Sequence, residues 1–157
     1  MLSKYISPNS VIYEPFSGKG AYTKRFPEFF PLCRHVFTEI EDGLDFFDYK
    51  GESVDVIISN PPFSILEKVF ERCYLMKPKI ISFLLLQHAI TPCRLRKANE
   101  AGYFVLHYHL CRMDKWFGVA GILTLSNEIT ENIISFDCTK HILEKEREEE
   151  ELVLELV

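Results

Sequence analysis

Residues 80–86 read Ile-Ile-Ser-Phe-Leu-Leu-Leu, seven positions with one small polar member. A run this apolar and this short is a central strand, buried on both faces, and such a strand needs a layer of structure on each side. The rest of the chain supplies those layers. Val11–Tyr13, His35–Thr38, Leu44–Phe47 and Val54–Ser59 are strand-like runs upstream, Tyr103–Leu110 and Ala120–Ser126 lie downstream, and Asn132–Phe136 is a candidate for one more. Between them, Tyr22–Phe30 predicts a short helix disturbed by Pro27, and Pro92–Ala101 predicts another. A third helix is signalled after Ser59. Ser64 and Glu67 fit a capping box, Ile65, Leu66, Val69, Phe70 and Cys73 form one stripe, and Lys68, Glu71 and Arg72 lie opposite. Strands alternating with helices predict an α/β fold with a mostly parallel sheet and right-handed crossovers. Ligands of such sheets bind beyond the carboxyl ends of the strands, so the chemistry is sought there.

Composition narrows the classes. A chain of 157 residues has room for one domain with a core and not for two, so residues 1–139 are expected to form a single domain. Residues 140–157, with three positive and seven negative charges, read as an acidic helix or tail. The net charge is −5, which leaves −1 for the other 139 residues, so any nucleic-acid surface must be a local patch. No apolar run is long enough to span a membrane, and the first residues do not resemble a secretory leader; a soluble intracellular protein is expected. Five cysteines are scattered without a Cys-x-x-Cys pair, which points to reduced packing residues rather than disulfides or a metal site.

The predicted strand ends carry a series of motifs. After the first comes Glu14-Pro15-Phe16-Ser17-Gly18-Lys19-Gly20. Gly-x-Gly allows a tight turn and close approach to a ligand, and the acid before it suits an ammonium group better than a pyrophosphate. The second strand ends at Glu39, where a carboxylate can accept two hydrogen bonds from a ribose diol. Asp45 can accept from an exocyclic amine, and Phe46 offers a flat apolar wall; a turn aspartate and a core phenylalanine fit the same pair of residues. The fourth strand ends at Ser59-Asn60-Pro61-Pro62-Phe63. Two prolines remove two backbone donors and stiffen the loop, leaving the Asn60 side-chain oxygen and the Pro61 carbonyl as two acceptors in fixed geometry. That pair suits an amino group with two hydrogens, and Phe63 supplies a stacking face.

With these residues in place, the chain resembles the Rossmann-like S-adenosylmethionine-dependent amino-methyltransferases, most closely the adenine-N6 nucleic-acid enzymes. The resemblance rests on Asn60 to Phe63, Glu14 to Gly20, Glu39, and the pair Asp45 and Phe46, in order, over residues 11–76. It implies a mostly parallel seven-stranded sheet with an antiparallel C-terminal hairpin and helices on both faces. It also implies S-adenosylmethionine as cofactor, held by Glu14, Pro15, Phe16, Ser17, Gly18, Gly20, Glu39, Asp45, Phe46 and Asn60. Methyl transfer to N6 of an adenine flipped out of DNA or RNA would use Asn60, Pro61, Pro62 and Phe63, with no metal. A second aromatic, Trp116 or Phe117, would cover the other face of the base, and His88 would line the pocket.

Arg94, Arg96 and Lys97 follow on the same sheet edge and are candidate phosphate contacts, as are Lys19, Lys24, Arg25, Arg112 and Lys115. The sequence departs from the resemblance in two ways. Only five residues separate Glu39 from Asp45, and nothing resembles a target-recognition domain. Guanine-N2 RNA methyltransferases, protein-glutamine methyltransferases and a non-catalytic cofactor-binding subunit share the loop and stay open as alternatives. The acidic C-terminal segment is a candidate docking helix for a protein partner or a second copy.

Overall fold

The computed structural model describes residues 2–112 and 119–136. Six strands form one sheet among these residues: β1 (Val11–Glu14), β2 (Arg34–Phe37), β3 (Val56–Ser59), β4 (Ile80–Leu86), β5 (Phe104–Arg112) and β6 (Val119–Ser126), in the spatial order β2-β1-β3-β4-β6-β5. β1 pairs in parallel with β2 and β3, and β3 in parallel with β4. β6 then runs antiparallel between β4 and β5, which is the expected hairpin.

Ile80–Leu85 are all buried, because successive side chains of β4 feed two different layers. On one face, Tyr13, Ile57, Ile81, Phe83, Leu85 and Leu123 meet α2 (Leu66–Met76) and α3 (Pro92–Glu100) through Leu66, Val69, Phe70, Cys73, Leu95 and Ala98. These α2 residues are the stripe read from the sequence. On the other face, Ile12, Val56, Ile58 and Ile80 meet Phe26 of the one-turn helix α1 (Phe26–Phe29) and the 3-10 turn Leu2–Tyr5. Each such side chain, fully buried, contributes roughly 1.5–3 kcal/mol.

Five expectations are corrected. The sheet has six strands among the described residues, not seven, and is parallel only from β2 to β4. The absent strand is Leu44–Phe47. Five residues after Glu39 are too few for a parallel crossover, which takes a dozen or more. The segment instead forms a 3-10 turn, Phe46–Asp48, and lays Phe46 and Tyr49 on Tyr13 of β1, with ring centroids at 6.0 and 4.6 Å. Its apolar residues thus cover the sheet rather than extend it, and β2 is left at the edge. Asn132–Phe136 is not a strand either; Asn132 Oδ1 accepts from Val105 N at 2.8 Å where β5 shifts register.

The helix expected over Tyr22–Phe30 is only the single turn Phe26–Phe29, because Pro27 suits the first turn and not an interior. Finally, Ser64 and Glu67 form no capping box. Ser64 sits in a 3-10 turn, Phe63–Ile65, ahead of α2, which begins without a side-chain cap. The Glu67 carboxylate reaches across to Lys97 and Arg94 of α3 instead, and those cations hold it below the usual carboxylate range.

Candidate active site

Three parallel strands end together and bring three sequence-distant segments to one place. Glu14, the last residue of β1, is completely buried. Its Oε1 accepts from the Ser59 hydroxyl at the end of β3 and from Phe16 N at 3.3 Å. Its Oε2 has no hydrogen-bond partner among the described residues. Burial is the dominant influence on this carboxyl and pushes its pKa up to about 8; the bonds from Ser59 and Phe16 oppose the shift, and repulsion from Glu39 adds to it.

The loop after β1 is folded by its glycines and tied to β2. Gly18 and Gly20 have φ of +49° and +79°, the left-handed region. A Cβ at Gly20 would lie 3.0 Å from Thr23 Oγ1, whereas nothing lies within 4 Å of one at Gly18. Glu39 Oε2 accepts from Gly18 N at 2.5 Å, and Ser17 N donates to Thr38 O at 3.2 Å. Thr38 is buried; its hydroxyl donates to Pro15 O at 3.1 Å and shares a 2.6 Å hydrogen bond with the Tyr13 hydroxyl. Glu39, two residues past the end of β2, therefore closes the loop.

Asn60-Pro61-Pro62-Phe63 follows β3 directly. Asn60 and Pro62 are exposed, Pro61 is buried, and Phe63 leaves 41% of its surface open to solvent. Pro62, at φ −65° and ψ 126°, is the extended residue from which the next turn starts, so the loop is rigid where its acceptors sit. One strand over, β4 ends in the 3-10 turn Gln87–Ala89, which places His88 on the surface.

The structure thus brings together Glu14 to Gly20, Glu39 and the segment 59–63. It does not bring the rest. Asp45 Oδ1 accepts from Phe47 N at 2.8 Å and caps its own turn, and Phe46 is 2% exposed and packed edge-on to Phe16. These are the turn aspartate and core phenylalanine that the sequence also allowed. Arg94 contacts Glu67 and the Ala89 carbonyl, Lys97 contacts Glu67, and Arg96 pairs with Glu100 at 2.5 Å. Arg25 pairs with Glu28 at 3.5 Å, and Lys24 Nζ donates to Lys19 O at 3.0 Å. Trp116, Phe117, Lys115 and the acidic segment 140–157 lie outside the described residues. Among those described, no group of three His, Cys, Asp or Glu side chains could hold a metal, and no helix is long and apolar enough to cross a membrane.

Two contributors were missed in the sequence. Ser59 is the one polar residue of Val56–Ser59, and its position against the motif was the available signal. Thr38 carried no signal, since only the pairing of β1 with β2 sets it under Pro15. A separate cavity of about 390 Å³ lies on the face covered by α1, lined by Tyr22, Phe26, Phe29, Ile58, Leu84 and Ile122 among others. It is apolar, and the groups with chemistry are at the strand ends.

No protein-family model and no curated protein matches the sequence. Solved structures do match in fold. A Lactococcus lactis protein described as a hemolysin superposes with a TM-score of 0.66 at 14% identity, covering 93% of this chain and 92% of that one. The 1,6-didemethyltoxoflavin-N1-methyltransferase of Burkholderia thailandensis, solved with its substrate and S-adenosylhomocysteine, gives 0.56 at 11%, covering 80% and 74%. The M1A22 tRNA methyltransferase of B. subtilis gives 0.56 at 9%, covering 80% and 63%. At these identities the likeness establishes the fold: a Rossmann-like sheet shared with methyltransferases.

Proposed function

We propose that this chain is an S-adenosylmethionine-dependent N-methyltransferase acting on the exocyclic N6 of adenine in a nucleic acid. The observation that carries the reading is the Ser59–Glu14 hydrogen bond. It locks the end of the strand leading into Asn60-Pro61-Pro62-Phe63 against the glycine loop, so an acceptor pair for an amine lies beside a loop suited to a cationic amino acid. The shared fold supports the same class.

The residues present fit the cofactor. Glu14 offers a buried oxygen without a partner, Gly18 leaves open space, and Glu39 has a second oxygen beyond the one held by Gly18 N. Gly18, Gly20, Glu14 and Glu39 would hold it; Asp45 and Phe46, engaged elsewhere, would contribute less directly. When bound, S-adenosylmethionine supplies an electrophilic methyl group.

The protein's own part is orientation. Asn60 Oδ1 and the Pro61 carbonyl accept the two hydrogens of the target amine, draw its nitrogen away from planarity and aim its lone pair. Phe63 stacks on one face of the base, worth roughly 1–3 kcal/mol. A base taken from a duplex must first be flipped out, at a cost of a few kcal/mol. With Arg94, Arg96 and Lys97 in ion pairs, Lys19 and Lys24 beside the glycine loop are the better phosphate contacts.

The test is methyl transfer from labelled S-adenosylmethionine to duplex DNA, single-stranded DNA, structured RNA and protein in parallel, followed by mass spectrometry of the digested product. N6-methyladenine that is lost in Asn60→Ala supports the proposal. N2-methylguanine or methylglutamine would keep the transfer and overturn the substrate, and no transfer with cofactor bound would favour a non-catalytic subunit.

A further inference from the structure

Glu14 is the one buried side-chain carboxylate of the β1 end, and its hydrogen bonds are lopsided. Both donors, the Ser59 hydroxyl and Phe16 N, converge on Oε1, and Oε2 is buried with no partner among the described residues. A carboxylate buried without a counter-ion is costly, and neither hydrogen-bond partner of this fully buried side chain is a cation, so burial favours the neutral acid. Among the described residues, no cation is among the influences on Glu14. The end of β3 presents the Ser59 hydroxyl, the loop presents the Phe16 amide, Glu39 just past β2 presents a second carboxylate, and Tyr22 beyond the loop is a partly buried phenol whose pKa is raised first by burial and then by Glu14. The charged group among these repels a second negative charge. The raised pKa of about 8 is consistent with this environment.

We propose that Glu14 carries a proton on Oε2 when the site is empty and releases it to solvent when the α-ammonium group of an S-adenosyl amino acid docks against the β1 loop. This rests on the cofactor reading above. The exchange is balanced: the acid loses one proton to the buffer, no bond to the ligand forms, and the carboxylate becomes the counter-ion of the ammonium. It has a consequence for the reaction cycle. The empty site avoids a buried uncompensated charge, and ligand affinity rises with pH below the pKa of the empty site.

The experiment is isothermal titration calorimetry of the full chain with S-adenosylhomocysteine at pH 7, in two buffers of different ionisation enthalpy. 5′-Methylthioadenosine, which lacks the amino-acid group, serves as control. The expected result is release of most of one proton with S-adenosylhomocysteine, none with 5′-methylthioadenosine, and an affinity for the former that rises several-fold, up to about tenfold, from pH 6 to pH 7. Glu14→Gln should abolish the proton release and flatten the pH dependence. A second measurement needs neither ligand nor variant turnover: the infrared difference between wild type and Glu14→Gln at pH 7 should show a protonated carboxyl band. Binding without proton release, or an ionised carboxylate band in the free protein, overturns the proposal and leaves the methyltransferase reading standing. Failure to bind S-adenosylhomocysteine at all overturns both.

Discussion

Replacing Glu14 with glutamine should make the protein more stable at neutral pH, although it alters the motif nearest the proposed chemistry. The side chain is completely buried, and glutamine reproduces the shape of the neutral acid. Its oxygen can accept from Ser59 and Phe16 as Oε1 does. What it lacks is a proton to lose in the unfolded chain. The pKa rises from an ordinary 4.5 to about 8 on folding, so the unfolded state ionises first. Stability contributed by the neutral acid is therefore fully present below pH 4.5 and is lost as pH rises toward 8. At 1.36 kcal/mol per unit the loss is about 3 kcal/mol at pH 7 and approaches about 5 kcal/mol above pH 8. Urea unfolding of both proteins at pH 5, 6, 7 and 8 isolates this group, because every other titration cancels in the difference. The advantage of Glu14→Gln should grow by about 1 kcal/mol per pH unit across that range and begin to level off at pH 8. A difference that stays constant with pH would refute the reasoning, since it would mean that Glu14 titrates alike in both states.

Other outcomes follow from the same geometry. Asn60→Ala should lower the rate of methyl transfer by about 10²–10³-fold, a loss of roughly 3–4 kcal/mol of transition-state stabilisation, with an unchanged urea midpoint because Asn60 is exposed. Gly121→Ala should destabilise the fold by roughly 1–3 kcal/mol, since a Cβ there would lie 2.4 Å from the Tyr108 ring; adding Tyr108→Ala should recover part of the loss, read in the same unfolding assay. Tyr103→Phe removes a buried 2.6 Å hydrogen bond to Pro78 O, for which Asn127 at 3.2 Å is a remaining donor, so a loss of about 1 kcal/mol is expected in urea unfolding. Thr91→Ala should cost about 1 kcal/mol by removing the cap on Arg94 N, and hydrogen exchange should show it in the first turn of α3.

The fold class was readable because it depends on local pattern. Six of the strands read from the sequence are present, since short apolar runs between breakers have few other ways to be buried. The same holds for the stripe of α2 and for the glycine loop, whose left-handed residues are ones that other side chains rarely occupy. The motif order, Glu14 to Gly20, then Glu39, then Asn60 to Phe63, was likewise visible, because each piece sits at a strand end that the sequence itself marks. The tertiary structure decided the assignments that depend on which partner is in reach. Leu44–Phe47 has the composition of a strand, but a link of five residues from Glu39 cannot cross to a new position in the sheet, so Asp45 turns inward to its own backbone and Phe46 joins the core. Glu67 has the spacing of a capping residue, but two cations on α3 compete for it and win, and in doing so withdraw Arg94 and Lys97 from the surface charge read in the sequence. Glu14 reads as an ordinary acid until β1 and β3 close over it; burial then raises its pKa, and Ser59, a residue 45 positions away that sequence spacing does not connect to it, opposes part of the rise.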